Sequence, residues 1–165
     1  MVTLSQGIER LLFIYRGRPL NQHQIAKKLK VSTPAVRKAL KNTNAIQEQD
    51  ESKRWNISMP EDTQTIRKKR IDNLQQLYES NIVNTLEKKF PGATIILFGS
   101  YSQGEDTINS DIDIAILTKE KPIDLAIFEK KLVRTINVSF FEDFQNIHED
   151  LQKSLMNGIV LVGQI

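Results

Sequence analysis

A chain of 165 residues has room for one ordinary domain or two small ones. Its hydrophobic content of 39% suffices for cores, no apolar run is long enough to make a membrane a partner, and the lack of cysteine excludes disulfides and thiolate metal sites. Charge divides unevenly: residues 1–59 carry 11 Lys/Arg and 4 Asp/Glu, a balance of +7, whereas residues 60–165 carry 12 and 16, a balance of −4. That asymmetry suits a basic module that meets a polyanion and an acidic module that holds metal.

Residues 1–10 show no basic start followed by an apolar block, so no signal peptide is expected and the compartment reads as the cytoplasm. Leu4, Ile8, Leu11, Leu12 and Tyr15 have the spacing of an amphipathic helix, which Gly17 stops. Asn21 can cap a second helix with Ile25, Ala26 and Leu29 inward. Ser32 is the expected N-cap of a third helix with Pro34 in its first turn, Val36 and Leu40 inward, and Arg37, Lys38 and Lys41 outward. Two short strands follow, Ala45 to Glu48 and Arg54 to Met59, with Trp55 and Ile57 on one face closing a small core.

This pattern resembles the winged helix-turn-helix family, with Ala26 where two helices cross, Val31 plugging the turn, and Lys30 where many such turns place glycine. The resemblance implies binding to double-stranded DNA through Arg37, Lys38 and Lys41, with Lys53 and Arg54 at the wing, and a homodimer reading two half-sites. Acidic Glu48, Asp50 and Glu51 at the wing tip work against phosphate binding. The alternative for this module is a helical bundle that mediates protein contacts.

Met59-Pro60 marks the expected boundary, and Asp62 to Lys89 reads as one long helix or two broken near Ser80. The basic run Arg67 to Arg70 reads as a solvated helix face, while the apolar stripe of this helix suits a dimer contact. Pro91-Gly92 ends it. Ala93 to Phe98 then forms a buried strand that stops at Gly99-Ser100. Ten residues on, Asp111 to Leu117 alternates, with Asp111, Asp113, Ala115 and Leu117 on one face and Ile112, Ile114 and Ile116 on the other. Two neighbouring carboxylates repel each other unless a cation lies between them, and hard oxygen ligands suit Mg²⁺ together with a substrate phosphate. The Gly-Ser turn adds close backbone approach and a hydroxyl donor.

Gly99-Ser100-Tyr101-Ser102-Gln103-Gly104 followed by Ser110-Asp111-Ile112-Asp113-Ile114 resembles the signature of the DNA polymerase beta-type nucleotidyltransferases, and most closely their minimal prokaryotic members. The resemblance implies transfer of a nucleoside monophosphate from a nucleoside triphosphate to a hydroxyl, with Gly99 and Ser100 on the nucleotide's phosphates and Asp111 and Asp113 on Mg²⁺ or Mn²⁺. It also implies an arginine where this chain has Gln103, and a third carboxylate on the next core strand, where Ile136-Asn137-Val138 stands. Small members of the family are often paired, as antitoxin to toxin, with an all-helical HEPN-type partner protein. A helix from Lys121-Pro122, a strand from Thr135 to Phe141, a helix carrying His148 and a last strand from Ile159 to Val162 complete the chain.

The expected fold class is therefore α+β. A winged helix-turn-helix at 1–59 precedes a helical linker at 60–84, and a nucleotidyltransferase domain at 85–165 holds a mixed sheet with helices on one face. Two functions fit. One is a Mg²⁺-dependent nucleotidyltransferase with a DNA-binding module. The other is a DNA-binding transcriptional regulator whose transferase domain is weak or inactive and senses nucleotide, since Asn137 can offer a metal a carbonyl oxygen but cannot accept a proton.

Overall fold

The computed structural model describes residues 2–164, apart from the side chain of Asn146. The chain divides into two compact units, Met1–Lys69 and Arg70–Ile165, with the division inside one helix.

The first unit opens with α1 (Leu4–Ile14), α2 (Gln22–Leu29) and α3 (Thr33–Leu40). Each begins where a short polar side chain satisfies a backbone N–H left open in the first turn. Thr3 and Gln6 form a reciprocal capping box, as do Asn21 and Gln24, and the Ser32 hydroxyl accepts from the N–H of Ala35. Lys30 ends α2 in the left-handed conformation (φ 55°), a costly place for a side chain. The turn is held there because the N–H of Val31 donates to the Ala26 carbonyl at 3.0 Å. Ile8, Leu12, Ile25, Val36 and Leu40 make the core.

Strands β1 (Ile46–Gln49) and β2 (Trp55–Ser58) pair antiparallel. Their turn is tied by Asp50, whose carboxylate accepts from the N–H groups of Ser52 and Arg54, both at 2.9 Å. Ile57 and Trp55 part company here, correcting the expectation that both close the core. Ile57 is fully buried, because Leu20 bridges to it with two backbone hydrogen bonds and draws that end of the hairpin onto the helices. Trp55, at the far end of the hairpin, stays 46% exposed.

Helix α4 (Thr63–Glu79) is capped by Asp62, which accepts from the N–H of Thr65 at 2.9 Å. It stops at Ser80, whose hydroxyl donates to the Leu77 carbonyl and accepts from the N–H of Ile82, and Asn81 turns the chain with φ 71°. Helix α5 (Ile82–Lys89) follows.

The second unit is built on a mixed sheet of β3 (Thr94–Phe98), β4 (Ile112–Leu117), β5 (Ile136–Phe140) and β6 (Ile159–Val162), in the order β5-β4-β3-β6. Only β4 and β5 run parallel, and a parallel pair needs a crossover, here α7 (Ala126–Leu132). The helix starts at Ala126 and not at Lys121, with the Asp124 carboxylate accepting the N–H of Ala126.

Helices cover both faces of this sheet, which corrects the expectation of one. Ile95, Leu97, Ile112, Ile114 and Ile116 pack with Leu77, Leu86, Phe128 and Leu132 of α4, α5 and α7. On the other face Ile96 and Ala115 pack with Leu155 of α8 (Glu149–Met156). The central strands β3 and β4 are largely apolar on both sides, as doubly covered strands are, with Asp113 the exception in β4. Among the described residues, no helix is long and apolar enough to cross a membrane.

Candidate functional site

Asp111 and Asp113 stand at one end of the face that α8 covers farther along, where Ala115 and Leu117 lie. Alternation puts the four on one side, and burial then separates them. Ala115 is fully buried, Asp113 is half-buried and Asp111 is exposed.

Strand register brings three sequence-distant residues into one row. Asp113 pairs with Phe98 on one side and with Asn137 on the other. The residue after Phe98 is Gly99, which opens the five-residue α6 (Gly99–Gln103) with φ 72°. A Cβ there would lie 2.5 Å from Oδ2 of Asp113. Glycine suits the left-handed backbone, and a Cβ there would push the Asp113 carboxylate aside.

Asn137 lies against both carboxylates. Its amide Nδ2 donates to Oδ2 of Asp111 at 3.1 Å and to Oδ1 of Asp113 at 3.4 Å. Oxygens that reach one nitrogen converge on one point, the position where a cation would relieve their repulsion. Turning the amide over presents its carbonyl oxygen instead, giving two carboxylates and a neutral oxygen. That donor set fits Mg²⁺ or Mn²⁺, which take hard oxygen ligands. Among the described residues no group of three or more Asp, Glu, His or Cys converges. Glu142 lies 3.9 Å from Lys119, and Asp143 caps a 3₁₀ turn (Phe144–Asn146) by accepting from the N–H of Gln145. Neither stands in for a third acid.

The loop into β4 is shaped by Ser110, whose hydroxyl accepts the N–H of Thr107 at 3.0 Å. Two open clefts adjoin the site. One, of about 750 Å³, is lined by Gly99, Ser100, Gln103 and Asn157, and also by Arg70; the other, of about 430 Å³, is lined by Ser110, Asp111, Thr135 and Val133. Val133, a β-branched residue, is held at φ 56°.

With this arrangement in view, residues 79–162 match the family model described as "Nucleotidyltransferase domain", just over half of the chain. The chain belongs to the nucleotidyltransferase-domain family. It is also 46% identical over 57 residues to "Protein adenylyltransferase MntA" of Shewanella oneidensis, an alignment covering 34% of this chain and 41% of that relative. The chain therefore spans well under half the length of the curated relative it matches.

A buried network in the same unit joins residues that no local pattern links. Asp106, fully buried, is 3.3 Å from Nη2 of Arg134, and Asn73 donates to Oδ1 of Asp106 at 2.7 Å and to the Tyr101 carbonyl at 2.9 Å. It joins α4, α6, the loop before β4 and the turn before β5. Those are the segments that set where Ser100, Asp111 and Asn137 stand. The one sequence signal is an aspartate, Asp106, three residues past the end of the Gly-Ser helix.

The basic residues of the first unit lie elsewhere. Arg37, Lys38 and Lys41 are exposed on and just after α3, and Lys53 and Arg54 are exposed at the hairpin turn. None of the five side chains has a hydrogen bond or ion pair with another described residue. Lys28, by contrast, is engaged with Tyr15, donating to its hydroxyl and lying 4.3 Å from its ring centre.

Proposed function

We propose that this protein is a Mg²⁺-dependent nucleotidyltransferase that moves a nucleoside monophosphate from a nucleoside triphosphate to a hydroxyl of a protein acceptor. The observation that carries this reading is the convergence of Asp111, Asp113 and Asn137 beside Gly99. The family membership and the likeness to a relative named as a protein adenylyltransferase support it.

Asp111 and Asp113 would hold the cation, Mg²⁺ or Mn²⁺, with the Asn137 carbonyl completing the set. When bound, that cation neutralises charge on the triphosphate. The chain's own groups do the positioning. Gly99 leaves the space that a Cβ would fill, and Ser100 offers a hydroxyl to a phosphate oxygen. The acceptor oxygen bonds to the α-phosphorus, the bridge to the β-phosphate breaks, and pyrophosphate leaves. The acceptor's proton goes to solvent, because an asparagine amide has no site to take it.

For the first unit the reading is a winged helix-turn-helix module, residues 1–59, joined by a helical linker at 60–84 to the transferase at 85–165. Its partner is duplex DNA, met by Arg37, Lys38 and Lys41 of α3 and by Lys53 and Arg54 of the hairpin, in a homodimer on a near-palindromic site. Those side chains are exposed and unpaired, the condition for meeting phosphates. An all-helical HEPN-type protein, in a toxin–antitoxin pairing, is the proposed acceptor.

A second reading is favoured by Asn137 itself. With a neutral amide in the row of acids, the domain would bind nucleotide and turn over slowly, serving a DNA-binding transcriptional regulator as its sensor. Incubation with labelled nucleoside triphosphates, Mg²⁺ and the product of the neighbouring gene tests the first reading. Label on that protein, lost with Asp111→Asn plus Asp113→Asn, is the expected result. Nucleotide binding without any transfer would select the sensor, and equal nucleotide affinity in chelator would overturn both.

A further inference from the structure

The larger cleft brings a guanidinium to the Gly-Ser turn. Arg70, in α4, lines it together with Gly99, Ser100, Gln103, Glu105 and Asn157. Its side chain is exposed and has no hydrogen bond or ion pair with any described residue. Among the residues lining this cleft Arg70 is the cation and Glu105 the anion, and the rest are neutral. Gln103 is uncharged, and its Nε2 donates to the Asn157 carbonyl at 2.8 Å. Glu105 is anionic and exposed but makes no pair with Arg70, so the fork of guanidinium donors stays open. Arg134, elsewhere in this unit, is spent on Asp106 inside the core. An open cleft beside a glycine turn, with one unpaired planar cation in its wall, has the chemistry of a phosphate site.

We infer that Arg70 is a phosphate-binding residue, holding the terminal phosphates of a nucleoside triphosphate seated on Gly99 and Ser100. The inference rests on the nucleotide-site reading above. It assigns to the exposed Arg70 of α4 the positive charge that Gln103 does not provide. Glu105 sets the opposite sign at the same cleft and limits affinity for the free anion.

Calorimetry on the full chain with Mg²⁺-ATP, Mg²⁺-GTP, inorganic tripolyphosphate and AMP tests it. Arg70→Ala is expected to weaken the triphosphate and tripolyphosphate by about 10- to 100-fold, the range of a charge-assisted contact, and to leave AMP unchanged. Arg70→Lys should fall between, and Glu105→Gln should tighten tripolyphosphate. Adding Gln103→Arg to Arg70→Ala should restore part of the loss, which a purely structural role for Arg70 would not allow. A parent that binds triphosphate and an Arg70→Ala variant that binds it equally would overturn the inference while leaving the nucleotide site intact. A parent that binds no triphosphate would overturn both.

Discussion

Two carboxylate clusters of the second unit use the same parts and end in opposite states. At Asp106 an asparagine amide and an arginine close on one carboxylate, and all three residues are buried. At Asp111 and Asp113 an asparagine amide touches two carboxylates, no described residue supplies a cation, and Asp111 faces solvent. The first arrangement balances its carboxylate with a guanidinium inside the core and serves as structure. The second is short of positive charge, which makes it a candidate cation site. A third case lies between them in the first unit: Glu61 is paired with Arg16, but its side chain is 64% exposed.

The contrast can be broken most forcefully at Asp106. Removing one member of a buried ion pair leaves the other uncompensated, so Asp106→Ala should lose about 3–5 kcal/mol in urea unfolding. Asp111→Asn with Asp113→Asn should leave unfolding stability unchanged or slightly raised while abolishing cation-dependent nucleotide binding. A large stability loss in that double variant would erase the distinction.

The next test adds to the open cluster what it lacks. Asn137→Asp places a carboxylate where the amide now bridges Asp111 and Asp113, giving a third anionic ligand and a proton acceptor. Assistance by a general base is worth about 10² to 10⁴ in rate, so Mg²⁺-dependent transfer should rise on that scale. A fully active parent with a neutral or harmful Asn137→Asp would remove the ground for the sensor reading.

Gly99→Ala sharpens the geometry. Its Cβ would meet Asp113 and the backbone would sit at a disfavoured positive φ, so Mg²⁺-dependent triphosphate binding should be lost. The strain itself should cost stability by only about 1–2 kcal/mol, readable as a shifted urea midpoint.

The smallest effect belongs to the intermediate case. Hydrogen bonding from Arg16 is the main cause holding the Glu61 carboxyl below the usual carboxylate range. A depressed folded-state value stabilises above the unfolded value and is lost as pH falls through the folded one. An exposed pair is worth at most about 1 kcal/mol, so Glu61→Gln should flatten the acid limb of the stability profile only slightly.

Much of the local architecture was legible in the residues. Asn21 and Ser32 announce helix starts because a cap acts over three residues, and Asp111 to Leu117 announces a strand because alternation acts over two. The Gly99-Ser100 and Asp111/Asp113 spacing carries the family signature by itself, for those residues meet across one antiparallel pair. Tertiary structure decided the rest. Trp55 and Ile57 have the same parity, yet only the one beside Leu20 is buried. Nothing local marks Asp106 as the partner of Arg134, 28 residues away, or Arg70 as a wall of the cleft beside Gly99. Asn137 faces Asp113 because β4 and β5 run parallel in one register after the α7 crossover. A shift of one residue would have turned that amide to the opposite face, since side chains alternate along a strand and pairing alone sets their phase.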